Sequence, residues 1–279
     1  MENNRQDQNF DKFAAKFEKN IYGSTKGRLR HELIVHHLHD CVPLVGISLQ
    51  ESAPSQIDAL SQKDALSQRV MPLQILDAGG GTGVMTEVML NLGHEVTLSD
   101  ISAQILSLAK NNLGERPNLH IQHTDILSLC NEKKYDLVIC HAVLEWLQHP
   151  FEVICKLVDL VKPGGHLSLS FFNYDAQLFG NMLYGNFDYV EQGMLSKNTV
   201  RLSPKNSQKP KAILSQLETL PIQIVKKAGI RCFHDYLKQP EKKISEYEQL
   251  KQLEIQYGST EPYLWLGKYF LIIAQKDAQ

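Results

Sequence analysis

The sequence predicts an α/β fold: a mostly parallel sheet with an antiparallel C-terminal edge, preceded by an N-terminal helical segment. Three observations predict it. Between residues 73 and 171, short apolar runs alternate with helix-patterned runs at the spacing of βαβ units. The first apolar run ends in a glycine-rich turn that opens a helix. Two late apolar runs, 230–233 and 269–274, are not spaced as in a simple βαβ repeat, which points to an antiparallel edge.

The elements follow in order. Phe10, Phe13, Ala14 and Phe17 fall at i, i+3, i+4 and i+7, one helix face. Residues 20–27 read as a loop, and a second helix is expected over about 27–40. Residues 47–70 are rich in Ser and Gln and carry Asp-Ala-Leu-Ser-Gln twice, too short for a structural repeat, so they read as an exposed insertion. Strands are expected at 74–78, 94–100, 119–123, 135–140 and 166–171, the last after the turn Pro163-Gly164-Gly165. Helices are expected over 83–92, 102–113 and 151–161. Residues 172–227 read as irregular, first aromatic and then basic; 241–257 reads as an amphipathic helix. The chain is therefore divided into an N-terminal helical cap (1–46), the insertion (47–70), a cofactor-binding half (71–171) and a substrate-side half (172–279), all in one domain.

Composition bounds the function. A chain of 279 residues with 43% hydrophobic and 22% charged residues can bury a full core. The net charge of −2 does not announce nucleic acid, so an RNA partner needs a local basic patch. Cys41, Cys130, Cys140, Cys155 and Cys232 are scattered, odd in number and without a C-x-x-C, which excludes a disulfide framework and a zinc site. Residues 1–20 lack an apolar signal core, and no apolar run reaches a membrane span. The expectation is a cytoplasmic protein with no metal.

The turn Asp77-Ala-Gly-Gly-Gly-Thr-Gly83 follows the first strand. Glycines there admit a ligand close to the backbone and supply positive φ. A dinucleotide fingerprint needs a third glycine where Val84 stands, so a pyrophosphate is disfavoured. Asp100 closes the second strand, where an acid can accept both ribose hydroxyls. The acid-x-Gly-x-Gly turn, through Gly79, with an acid after strand two is the usual pattern for S-adenosylmethionine on a Rossmann-like class I methyltransferase sheet. Helix capping by the two acids is the alternative. Thr124 and Asp125 end strand three, beside the expected adenine or as a helix cap. His141 follows strand four, at the crevice end of the sheet or packed within it.

The chain resembles the bacterial tRNA 5-carboxymethoxyuridine methyltransferases. The resemblance rests on Asn9-Phe-Asp11, Asn20-Ile-Tyr-Gly-Ser-Thr-Lys-Gly27 with Arg30, Leu76-Asp-Ala-Gly-Gly-Gly81, His141-Ala-Val-Leu-Glu-Trp146 and Gly185-Asn-Phe-Asp-Tyr-Val190. It continues through Leu202-Ser-Pro204, Gly229-Ile-Arg231, Phe233-His-Asp-Tyr-Leu237 and Glu261-Pro-Tyr263. It implies cofactor contact by Arg30, Gly79, Gly80, Asp100 and His141, and by Thr124 and Asp125. Arg30 would take the methionine carboxylate of the cofactor.

The implied substrate is a carboxylate on a wobble uridine in the anticodon region of tRNA, and the product is its methyl ester. A carboxylic acid with pKa about 4 is already ionised at neutral pH, so no general base is expected. Arg201 and Arg231 are the candidates to hold the carboxylate, with Tyr189, His234 and Tyr236 shaping the base pocket. Residues 191–231 contain eight basic residues (Lys197, Arg201, Lys205, Lys209, Lys211, Lys226, Lys227, Arg231) against Glu191 and Glu218, a candidate phosphate-contacting face. Two alternatives share the fold: a methyltransferase acting on a small metabolite, and a non-catalytic module that retains adenosylmethionine binding.

Overall fold

The computed structural model describes residues 24–44, 71–194 and 206–278. The predicted helix face at 10–17, the insertion 47–70, Lys197, Arg201, Leu202-Ser-Pro204 and Lys205 lie outside the described residues. Strands β1 (Gln74–Ala78), β2 (Glu95–Asp100), β3 (Leu119–His123), β4 (Tyr135–His141) and β5 (Val161–Phe172) form the parallel part of a seven-stranded sheet. Strands β6 (Ile222–Ile230) and β7 (Tyr269–Lys276) complete it, in the order β3-β2-β1-β4-β5-β7-β6. β7 runs antiparallel to both β5 and β6, the edge that the sequence predicts.

Helices cover both faces. On one side lie α1 (Thr25–Cys41), α2 (Val84–Asn91) and α3 (Ala103–Leu113), and on the other α4 (Pro150–Leu160). Further along come α5 (Tyr174–Leu183), α6 (Phe187–Glu191), α7 (Pro210–Leu217), α8 (Lys242–Ser245) and α9 (Tyr247–Gly258). Leu29, Leu33 and Leu38 of α1 join Met89, Leu98 and Leu113 in one core layer. Phe171 and Phe270, with Leu157 and Leu217, anchor the other. Each such side chain contributes about 1.5–3 kcal/mol by leaving water. The strands alternate with these helices because an apolar strand buried on both faces requires a cover on each.

Three predicted elements change. The segment 172–227 is not irregular: it holds α5, α6 and α7 and most of β6. The strand expected at 230–233 lies at Ile222–Ile230 and stops where Arg231 turns to φ 64°. The helix expected at 241–257 is two helices, α8 and α9. Pro163, Gly164 and Gly165 sit within β5, where the pairing with β4 shifts from Tyr135–Val161 to Leu137–His166. All five cysteines are free, and no helix among the described residues is long and apolar enough to cross a membrane.

Candidate active site

The carboxyl ends of β1, β2, β3 and β4 open onto one cleft, where an open α/β sheet binds its ligands. Gly79, Asp100, Thr124 and Asp125 line it. Gly79 takes φ 69°, and a β-carbon there would stand 2.6 Å from Val143 Cγ2. At Gly80 an added β-carbon would run into Leu98 and the Asp77 carboxyl. The turn is therefore held tight enough that only glycine fits. The Gly79 and Gly80 amides both donate to the Ser99 carbonyl, at 2.8 and 3.2 Å, which ties β1 to β2.

Asp100 is fixed by the backbone. The Gly81 N–H donates to its Oδ2 at 3.1 Å, and the Ser102 N–H to its Oδ1 at 2.9 Å. Asp77 lies beneath the turn rather than in the cleft: it is 2% exposed and accepts a 2.7 Å bond from the Thr86 hydroxyl. Burial pushes its pKa up to about 6, with Thr86 pulling the other way and Asp100 adding to the rise. Thr124 is tied to the end of β2 through its N–H on the Asp100 carbonyl, at 3.1 Å. Asp125 both lines the cleft and caps a turn, accepting from the Ser128 N–H at 3.0 Å. The walls here are apolar and aromatic: Ile101, Ile126, Leu127 and Trp146.

His141, at the end of β4, and Arg30, on α1, are not among the residues that line the cleft. Nε2 of His141 shares a 2.8 Å hydrogen bond with the Ser168 hydroxyl, while Nδ1 is buried. Burial, then the charges of Arg30 and His31, drop its pKa to about 3, so the ring is neutral. Arg30 is half-buried because α1 turns Leu29 and Leu33 into the core; its guanidinium lies 5.0 Å from the centre of the Tyr269 ring. Ser24 caps that helix by accepting from the Gly27 N–H.

The substrate-side candidates separate. Arg231 is 7% exposed and already engaged: Nη2 lies 2.7 Å from Asp235 Oδ2, and Nη1 donates to the Lys26 carbonyl at 3.3 Å. His234 is 3% exposed, with Nδ1 at 3.2 Å from Asp235 Oδ1. His234 and the positive charge of Arg231 overcome burial and hold the Asp235 carboxyl down at about 2. Glu254 fixes this turn by accepting from the N–H groups of Cys232, Phe233 and His234. The Tyr236 hydroxyl donates between the carbonyls of Ala176 and Leu266. Tyr189 is half-buried, its hydroxyl accepting from Gln177 at 3.4 Å. The structure thus packs Arg231, His234 and Tyr236 into a braced corner, and Tyr189 beside α5.

Among the described residues the basic run is split between two faces. Lys209 and Lys211 reach over Tyr174 and Trp265, on the side of α7. Lys226 lies on the opposite face near α1, 3.9 Å from Asp40. Large apolar residues are instead exposed along α5 and α6: Phe179, Leu183, Tyr184 and Phe187.

Two charged residues carried no local sequence signal. Glu145 is 1% exposed, and neither carboxylate oxygen has a well-aligned partner among the described residues. Lys268 stands half-buried beside Phe172, at the carboxyl end of β5. Their positions depend on which strands become neighbours, which no spacing along the chain reports.

The methyltransferase-domain family matches residues 76–167, the run from β1 into β5. Among solved structures, an S-adenosylmethionine dependent methyltransferase from Mesorhizobium loti superposes with a TM-score of 0.54, at 14% identity, over 92% of this chain and 100% of that one. The magnesium protoporphyrin IX methyltransferase of Synechocystis superposes with a TM-score of 0.51, at 17% identity, over 94% and 100%. The fold is that of the methyltransferases. The chain is also 39% identical to the tRNA 5-carboxymethoxyuridine methyltransferase of Escherichia coli K12, across 276 residues and 97% of each chain. It belongs to the tRNA 5-carboxymethoxyuridine methyltransferase family.

Proposed function

We propose that this protein transfers a methyl group from S-adenosylmethionine to the carboxylate of 5-carboxymethoxyuridine at the wobble position of tRNA, giving the methyl ester, in the cytoplasm. The observation that carries this reading is the reach of the likeness. It covers 97% of both chains and so includes the substrate-side half, which the methyltransferase-domain match at 76–167 does not.

The donor set fits the cofactor. Gly79 leaves space at the cleft floor that a β-carbon would take from Val143. Asp100, held by two backbone donors, offers carboxylate oxygens to ribose hydroxyls. Ile101, Leu127 and Trp146 suit an adenine face, and Arg30 a carboxylate. We assign Gly79, Gly80, Asp100, Thr124, Asp125, His141 and Arg30 to this site, with Asp77 supporting the turn from below.

When bound, S-adenosylmethionine supplies an electrophilic methyl on a positively charged sulfur. The remaining work falls to the protein. The substrate carboxylate is ionised at neutral pH, so no residue has to remove a proton. What the protein adds is placement, and alignment of this kind supplies roughly 7–11 kcal/mol of a barrier. His141, kept neutral by burial, adds no charge to the crevice. The exposed rings of Phe179, Tyr184 and Phe187 suit stacking of unpaired bases, the usual way single-stranded RNA is read.

The test is nucleoside mass spectrometry of tRNA from cells with and without the gene. Loss of the methyl ester with accumulation of the free acid is the expected result. An unchanged nucleoside profile overturns the substrate and moves a small-metabolite acceptor to first place.

A further inference from the structure

The end of β5 and the start of β7 meet in a cationic corner. Phe172 closes β5 and Tyr269 opens β7, their rings edge to face at 5.7 Å. The guanidinium carbons of Arg30 and Arg231 lie 5.0 and 5.6 Å from the centre of the Tyr269 ring. The Lys268 ammonium lies 4.9 Å from the centre of the Phe172 ring. Lys26 is close by, its carbonyl bonded to Arg231. Against these cations stand Asp235, which is paired with Arg231, and the buried Glu145.

The corner lies at the carboxyl end of β5, and β5 pairs with β4, whose carboxyl end borders the cleft. The Ala142 N–H, on the cleft wall, donates to the carbonyl of Ser170 at 2.8 Å, two residues before Phe172. The backbone of Lys268 is pinned on both sides. Its N–H donates to the Arg231 carbonyl at 3.3 Å, and its own carbonyl accepts from the Asn173 N–H at 3.2 Å. The fully buried Asn173 side chain then donates to the carbonyls of Gly267 and Trp265, each at 2.9 Å. The side chain of Lys268 makes no hydrogen bond or ion pair among the described residues: its ammonium lies over the Phe172 ring and feels the Asp235 charge only at longer range.

We propose that Lys268 is the residue that recognises the substrate carboxylate. This rests on the function proposed above. Arg231, a sequence candidate for that role, is committed to Asp235 and to a backbone carbonyl, whereas Lys268 carries a cation without a hydrogen-bond partner among the described residues on a backbone held at both ends. The chemistry also favours lysine. A guanidinium fork engages both oxygens of a carboxylate at once. An ammonium is a point charge that takes one oxygen and leaves the other free to attack the methyl group. The walls of Phe172 and Tyr269 exclude water from one side of the contact, which strengthens it.

The test compares two tRNAs of one sequence, one carrying 5-carboxymethoxyuridine and the other unmodified uridine, so that shared phosphate contacts cancel in the ratio. Wild-type protein is expected to bind the acid-bearing tRNA roughly 10- to 100-fold more tightly, the worth of a hydrogen bond to a charged group. In Lys268→Met that ratio falls towards one and kcat/KM drops in parallel, with S-adenosylmethionine affinity and the melting temperature unchanged. Lys268→Arg keeps the binding ratio but lowers kcat, because it engages both oxygens. Should Lys268→Met fold poorly, Lys268→Gln replaces it. A wild-type ratio retained in a folded Lys268→Met or Lys268→Gln protein overturns the assignment. Failure of the wild-type protein to methylate the acid-bearing tRNA overturns the substrate reading, and the assignment with it.

Discussion

Glu145 is a carboxyl group that the fold has taken out of water. It is 1% exposed, and burial raises its pKa from 4.5 to about 7, against the weaker pull of the N–H groups of Glu145 and Phe172 and the charge of Arg30. The folded protein therefore holds this proton to higher pH than the unfolded chain does. The stability it contributes is fully present below the unfolded value of 4.5 and is lost as pH rises through about 7. The full span corresponds to about 3 kcal/mol at 1.36 kcal/mol per unit. Between about pH 5 and about pH 8, some 2–3 kcal/mol of it should disappear. Glutamine has the same shape and no proton to lose, so Glu145→Gln should remove this slope. The assay is urea unfolding of both proteins at the two pH values, without cofactor. Asp77, raised to about 6, loses stability in the same window, but it is present in both proteins and drops out of the difference. Wild type is expected to lose about 2–3 kcal/mol more than the variant. Parallel profiles would refute the reasoning, since they would mean that Glu145 stays ionised and solvated in the folded state.

Other outcomes follow from the same geometry. Gly79→Ala should cost about 2–4 kcal/mol, from the left-handed backbone and the contact with Val143, and should weaken cofactor binding; an unchanged unfolding midpoint would contradict it. Asp235→Asn leaves Arg231 without its buried partner and should cost about 3–5 kcal/mol in urea unfolding. The acid limb carries the same pair: with the Asp235 carboxyl held at about 2, its contribution is present above the unfolded value of 3.8 and is lost as pH falls through about 2.

The parts of this molecule legible in its sequence are those governed by local pattern. β1 and β3 fall on their predicted residues because an apolar strand bounded by turn residues is a short-range signal. That four of the candidate residues share one cleft has a related reason: Gly79, Asp100, Thr124 and Asp125 all stand at strand ends, and parallel topology gathers those ends at one edge. β6 was misplaced because a bulge between Ile224 and Lys226 breaks the period-2 alternation, leaving Lys226 and Lys227 in mid-strand. α5 was missed because it buries only Ala176 and Gly180, while Phe179, Met182 and Leu183 face outward, so no apolar stripe marks it. Arg231 is a sequence candidate to hold the substrate carboxylate; its partner Asp235 becomes visible only once the turn after β6 is folded against Glu254. Lys268 and Glu145 stayed silent because burial of a charge is a property of strand neighbours, not of sequence spacing.

The central claim is methyl transfer to one carboxylate on tRNA. Its most direct test is reconstitution: purified protein, S-adenosylmethionine with a labelled methyl group, and tRNA bearing 5-carboxymethoxyuridine, followed by nucleoside analysis. The account predicts label in the methyl ester of that nucleoside and none in the same tRNA carrying unmodified uridine. Cofactor binding without label in the ester, or label elsewhere in the tRNA, would contradict it.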